Sequence, residues 1–199
     1  MNRTLPTSGE VHVWCGDSHR TDALGDISLL SREEKIRCAR IAGPAERRGF
    51  AAARAGARRI LADLAGGVPA GVGLPLGPGR EKHCVVITEG TRATPLALDL
   101  VWSAEGWLLG LALDARIRLA LGPAGDATAG PRLRQQVRQK ALDRLAGAES
   151  TVAPSRSSGN FSVHDVPMPG AAIAAVACSG RHRRSGPVSL VLREVPVVT

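Results

Sequence analysis

The chain has 199 residues, 44% of them hydrophobic, and a formal net charge of +8, so it can bury the core of one sizeable domain or two small ones. No run approaches the ~20 consecutive apolar residues of a membrane span, and Met1-Asn2-Arg3-Thr4 lacks the apolar core of a secretion signal, so a cytoplasmic protein without a membrane partner is expected. The charge points to an anionic partner, but no Tyr and only two Phe are present to stack on bases, which argues against nucleic acid.

Val11 to Trp14 has the composition of a short strand. Ser31 with Glu34 three residues on forms a capping box that opens a helix. Pro44 suits a first helical position and Gly66-Gly67 a helix end. Between them, at ~100° per residue, Phe50, Ala53, Ala57, Ile60, Leu61 and Leu64 fall on one stripe, with Arg47, Arg54 and Arg58 along its border. Arg48 and Arg59 point further outward. A border arginine can bury its stem and aim its fork at a cleft, which makes Arg58 a candidate ligand contact.

Val68 to Gly79 reads as a Gly/Pro-rich loop, followed by Lys82. Leu96, Leu98, Leu100 and Trp102 alternate with Ala97, Asp99 and Val101, the period of a strand with one strongly apolar face. Trp107–Leu113 and Arg116–Leu121 read as a hairpin turning at Asp114-Ala115, with Ile117, Leu119 and Leu121 on one side and Arg118 and Ala120 on the other. A helix starting near Pro131 places Leu133, Val137, Ala141 and Leu145 on its buried face, with Lys140 beside them. Strands are expected around Phe161, from Ala171 to Cys178 and from Val188 to Arg193. Cys15, Cys38, Cys84 and Cys178 contain no C-x-x-C pair and read as reduced thiols.

Trp14, the run Leu30-Ser31-Arg32-Glu33-Glu34-Lys35-Ile36-Arg37-Cys38 and the arginine-rich helix through Phe50, Arg58 and Leu61 resemble the first half of a surfactin-type 4'-phosphopantetheinyl transferase. Leu98 to Ser103 stands where that family carries its Ser-His strand, and Ile117 to Gly122 where it carries Gly-Val-Asp-x-Glu. Val137 to Leu142 replaces Trp-x-x-Lys-Glu-Ala and keeps Lys140. The resemblance implies an α+β fold of two similar halves about a pseudo-twofold axis, residues 1–95 and 96–199, with a cleft between them.

In that family a magnesium ion held by three acids in the cleft bridges the pyrophosphate of coenzyme A. The corresponding positions here are Ala120, Gly122 and Ala141. Mg²⁺ requires oxygen ligands, so no metal and no cofactor are expected, and Trp102 replaces the family's phosphate-facing His. Val101, Trp102, Ala120 and Ala141 suggest a roomier apolar cleft for a hydrophobic small molecule, with Arg58 and Lys82 as further binding residues. Asp99, Lys140 and Arg118 are the candidate catalytic groups, through acid/base chemistry in an apolar setting; His83 and His164 are less well placed. The resemblance thus implies a repurposed, metal-independent enzyme of polyketide or peptide biosynthesis, such as a cyclase, acting on an apolar or carrier-bound intermediate. The alternatives are a non-catalytic protein whose basic surface around Arg48, Arg58 and Lys82 holds an acidic acyl or peptidyl carrier protein or a partner enzyme, and an atypical working transferase.

Overall fold

Strand β1 (Glu10–Asp17) turns Val11 and Val13 to one face and His12 and Trp14 to the other, all four buried. A strand buried on both faces needs a layer on each side, and the chain supplies one of helix and one of sheet. The computed structural model describes residues 4–19, 23–74, 84–89, 92–123, 130–147, 161–168, 173–180 and 188–193; at 23, 84–89, 92–94 and 180 it describes the backbone alone. Lys82 and His83 lie outside the described residues.

Strands β2 (Cys84–Glu89), β3 (Arg92–Trp102), β4 (Gly106–Ala112), β1 and β8 (Ser189–Arg193) form a five-stranded sheet in the order β2-β3-β4-β1-β8. It is antiparallel except for β8, which lies parallel to β1. A second, three-stranded antiparallel sheet has the order β5-β7-β6, from β5 (Ala115–Leu121), β6 (Phe161–Pro167) and β7 (Ile173–Gly180). The helices are α1 (Ala23–Ser28), α2 (Arg32–Ala39), α3 (Pro44–Ala65) and α4 (Gly130–Gly147).

The fold is α+β, in four layers. Helix α3 lays Ala53, Ala57, Ile60, Leu61 and Leu64 on Trp14, Leu96, Leu98, Trp107, Leu109 and Leu111 of the larger sheet. The other face of that sheet, with Val11, Val13, Leu108 and Ala112, packs on Ile117, Leu119, Leu121, Val176 and Cys178 of the smaller one. Helix α4 closes the far side, with Val137, Ala141 and Leu145 against Ala120, Ala175 and Ala177. No helix among the described residues is long and apolar enough to cross a membrane.

Local signals place the helix ends. Ser31 Oγ accepts from the Glu34 N–H at 3.2 Å, and the Glu34 carboxylate accepts from the Ser31 N–H at 2.7 Å, which completes the capping box of α2. Pro44 starts α3, and Gly66 ends it in the left-handed region at φ 65°.

The expected β4–β5 hairpin is absent. The two strands lie in different sheets, because β4 already has β3 on one edge and β1 on the other. The chain therefore crosses between layers at Asp114, which takes φ 55°, a conformation that Asp tolerates better than most side chains. The division at residue 95 passes through β3 rather than between sheets. The element order runs from β1 through α1, α2 and α3 to β2, β3 and β4, and then from β5 through α4 to β6, β7 and β8.

Trp107 lies between two glycines. A Cβ built at either Gly16 on β1 or Gly56 on α3 would overlap the indole ring. Gly56→Ala is therefore expected to destabilise the protein by about 1–3 kcal/mol from overpacking, despite the ~1 kcal/mol gained in helix propensity. Urea unfolding followed by circular dichroism checks this; an increase in the midpoint would refute the close packing.

Candidate functional site

Among the described residues strand β5 is an edge strand, with β7 on one side only. On its other side the odd-numbered residues present backbone groups that no strand receives. Three cationic side chains take the carbonyls in turn. Arg118 donates to the Ile117 carbonyl at 2.8 Å, Arg144 donates to that of Leu119, and Lys140 Nζ donates to that of Leu121 at 3.4 Å. The Leu119 N–H donates to Asp99 Oδ2 at 2.7 Å.

Asp99 comes from β3 in the facing sheet and is 1% exposed. Its Oδ1 accepts from the Leu100 N–H at 3.2 Å and from Arg144 Nη2 at 3.3 Å. The Asp99–Arg144 pair thus engages both backbone groups of Leu119 and occupies the place of a neighbouring strand residue. A buried carboxylate requires such partners, since an unsatisfied one would cost several kcal/mol. Unpaired strand edges are also sites of unwanted pairing, and charged side chains are a common way to close them.

The structure therefore brings Asp99, Arg118 and Lys140 to one strand edge, and it also shows what holds them there. The proposed apolar site residues do not gather with them. Val101 and Asp99 face the smaller sheet, while Trp102 packs edge-on to Phe50 at 5.2 Å between ring centroids, on the α3 side. Ala120 and Ala141 face each other beneath α4 and are 1% and 0% exposed. A Cβ added at Gly122 would lie 2.6 Å from Val137 Cγ2. These three positions are filled by the seat of α4, where the roomier cleft was expected, and they offer no side-chain oxygen to a magnesium ion. Among the described residues, no group of three or more His, Cys, Asp or Glu could hold a metal ion.

Arg58 is 4% exposed and lies inside a buried ion cluster. Its Nη2 is 3.0 Å from Glu34 Oε2, and Arg54 pairs with Glu34 Oε1 and donates to the Leu74 carbonyl at 3.0 Å. Burial pulls the Arg54 guanidinium below its usual range, against the opposing pull of Glu34. The fork of Arg58 is aimed at the base of α2, not at the surface.

Glu34 and Arg144 were missed by sequence reasoning. Arg144 stands four residues after Lys140, so the two share a helix face, a signal that could have paired them. Glu34 was recognised only as a capping residue, and nothing local indicates that its carboxylate also neutralises two arginines 20 and 24 residues away.

Elsewhere α4 is pinned to β6 by a bidentate fork, Arg138 Nε and Nη2 to the two Asp165 oxygens, each 2.7 Å. Those hydrogen bonds hold the Asp165 carboxyl below the usual carboxylate range. His164 Nε2 lies 3.2 Å from Ser162 Oγ, which lies 3.0 Å from Cys178 Sγ. Burial pushes the Cys178 thiol up, so it stays protonated at neutral pH. His12 on β1 is buried with its Nε2 3.3 Å from Arg193 Nη2, and burial lowers its proton affinity. Cys15, Cys38 and Cys178 are free thiols.

No protein family, no curated protein and no solved structure matches this chain.

Proposed function

We propose that the chain is a phosphopantetheinyl-transferase-like protein that acts by binding an acidic carrier protein rather than by transferring a group to it. The observation that carries this reading is the engagement of Asp99, Arg118 and Lys140 with the backbone edge of β5. Each candidate catalytic group already has a structural partner. A metal-independent cyclase would need an apolar pocket lined by Ala120 and Ala141, and both are packed beneath α4. An order of one strand, a helical segment and three strands, met in β1–β4 and again in β5–β8, supports two transferase-like halves.

Charge supports binding. With Arg58 internal, the exposed cations near the start of α3 are Arg40, Arg47 and Arg48, and the net charge of +8 favours an acidic partner. Cys38 Sγ lies 3.7 Å from the Arg47 carbonyl and fixes the end of α2 beside this region.

The test mixes the protein with an apo acyl carrier protein, coenzyme A and Mg²⁺. Intact mass of the carrier is expected to stay unchanged, and a gain of the phosphopantetheine mass would overturn the proposal. In parallel, isothermal titration calorimetry with the same carrier should detect binding. Affinity should fall about tenfold or more between low and high salt as the surface charges are screened. Absence of binding at low salt would refute the carrier-binding role.

A further inference from the structure

His12 is a buried imidazole whose two ring nitrogens meet different surroundings. It is 1% exposed and shares the α3 side of β1 with Trp14. Its Nε2 lies 3.3 Å from Arg193 Nη2 and 3.4 Å from Glu10 Oε2. Its Nδ1 is buried with no hydrogen-bond partner among the described residues. A guanidinium can only donate, so at the Arg193 contact Nε2 is the acceptor and the ring proton sits on Nδ1. Protonation of Nε2 would set two donors against each other at that contact and leave the ring to Glu10.

Few charges surround the ring. Glu10 comes from the same strand, is 34% exposed and accepts from the Thr7 N–H at 3.0 Å. Arg193 comes from β8 and also donates to Thr4 Oγ1 at 3.0 Å. The segment from Thr4 to Gly9 that precedes β1 brings no ionisable side chain. Strand β4 sets Leu111 opposite His12 and has no titratable residue. Helix α3 meets this face of the sheet with Leu61 and Leu64. Of its charges at that end, Arg58 is paired with Glu34 and Arg59 with Asp26, and Asp63 lies off the apolar stripe. Burial and then the Arg193 charge lower the proton affinity of His12, and they outweigh the opposing pull of Glu10, which water screens.

Strand β8 is what the Arg193 contact holds. It has five residues and, among the described residues, one neighbouring strand, β1. Val188 and Leu190 pack into the core between the sheets, but Leu192 is 46% exposed, so the Arg193 end has little apolar anchorage. We infer that His12 is a pH-sensitive latch for β8: the neutral ring accepts from Arg193 and holds that end of the strand on β1, and protonation of the ring releases it. On release the guanidinium and the Nδ1–H both reach water, which removes the cost of a buried donor left unpaired. The released ring titrates at the ordinary imidazole value of about 6.5 and the held ring lower, so the held state binds fewer protons. The latch is therefore closed above about pH 6.5 and loosens as the pH falls below it. None of these residues belongs to the β5 edge or to the exposed cations near the start of α3, so the latch stands apart from the carrier-binding reading.

Hydrogen exchange of the full-length chain tests the latch, with rates expressed as protection factors to remove the chemical effect of pH. The Ser189 N–H donates to the Gly9 carbonyl at 2.9 Å, and alternation along the strand brings the Val191 and Arg193 amides to the same side. Val191 stands opposite His12. Between about pH 7.5 and about pH 5, protection at Val191 and Arg193 should fall about tenfold relative to Leu109 on β4. No fall, or an equal fall at Leu109, would overturn the inference, the second because the whole fold would then be opening. His12→Gln should make protection at Val191 independent of pH over this range. Arg193→Gln keeps a donor without the charge and should shrink the fall to about threefold or less; at the sheet edge, it keeps the test decisive if His12→Gln does not fold. The full wild-type dependence in either variant would refute the latch. The nitrogen chemical shifts of the His12 ring at neutral pH should place the proton on Nδ1, and a proton on Nε2 would overturn the inference as well.

Discussion

Glu34→Ala is expected to lower the unfolding free energy by about 3–5 kcal/mol, the usual loss when one partner of a buried ion cluster is removed. The carboxylate is fully buried between Arg54 and Arg58, which are 6% and 4% exposed. Its removal takes the carboxylate from between two buried guanidiniums, and it also removes the acceptor for the Ser31 N–H at the start of α2. For a chain of this size the loss corresponds to a fall in Tm on the order of 10 °C. Glu34→Gln keeps the volume and one acceptor but not the charge, so it should fall between wild type and alanine. Urea unfolding with an unchanged m-value is the measurement. If both variants lie within about 1 kcal/mol of wild type, the cluster does not anchor α2. A shift in m would indicate that α2 had already detached in the native state.

The second large effect is expected at Asp99. Asp99→Ala removes the acceptor for the buried Leu119 N–H and the partner of Arg144 in one change, which should cost about 2–3 kcal/mol, mostly from the unsatisfied groups left behind. Asp99→Asn retains one oxygen and should cost less. Stability alone would not distinguish this role from ordinary packing, so the decisive readout is local. Hydrogen exchange at the Leu119 amide should accelerate in Asp99→Ala well beyond that at Leu109, on the neighbouring sheet. Equal acceleration at both amides would mean that Asp99 acts through global stability, and unchanged protection at Leu119 would mean that the bond does not close the β5 edge. The variant should still bind the carrier protein, because Asp99 is 1% exposed and so is not part of the charged surface.

Much of the architecture was legible because its signals are local. The capping box at Ser31 and Glu34, Pro44 at the first turn of α3 and Gly66 at its end depend on residues within a few positions of one another, and the structure repeats them. The apolar stripe from Phe50 to Leu64 is likewise buried along its length. The β4–β5 hairpin failed for the opposite reason. Trp107–Leu113 and Arg116–Leu121 have the right composition and spacing for a hairpin, but pairing depends on which edges other strands have already taken, and β3 and β1 take both edges of β4. No short-range pattern carries that information.

The site residues divide in the same way. Asp99, Arg118 and Lys140 are legible in the sequence as ionisable groups beside apolar positions, and in the structure all three contact the edge of β5. What the sequence could not supply was the recipient. The partners are backbone groups of Ile117, Leu119 and Leu121, and backbone is the same in every sequence, so their exposure at a sheet edge is knowable only from topology. Arg58 illustrates the complementary limit. Its position on the border of the α3 stripe is fixed by helical periodicity, yet whether a border arginine faces solvent or the interior depends on what packs beside it, and here that is α2 with Glu34.

By itself the sequence determined the start of α2, both ends of α3, the alternation of β3, the net positive charge and the absence of side-chain oxygens at Ala120, Gly122 and Ala141. Tertiary structure alone decided that those three positions would be filled by α4 rather than left as a cleft, that the Asp99–Arg144 pair would substitute for a missing strand, and that Asp26 and Glu34 would turn inward to the arginines of α3. The physical reason is common to all three. Propensity and periodicity act over one or two turns of chain, whereas burial of a charge or of an edge is settled by residues brought together from 20 to 45 positions apart.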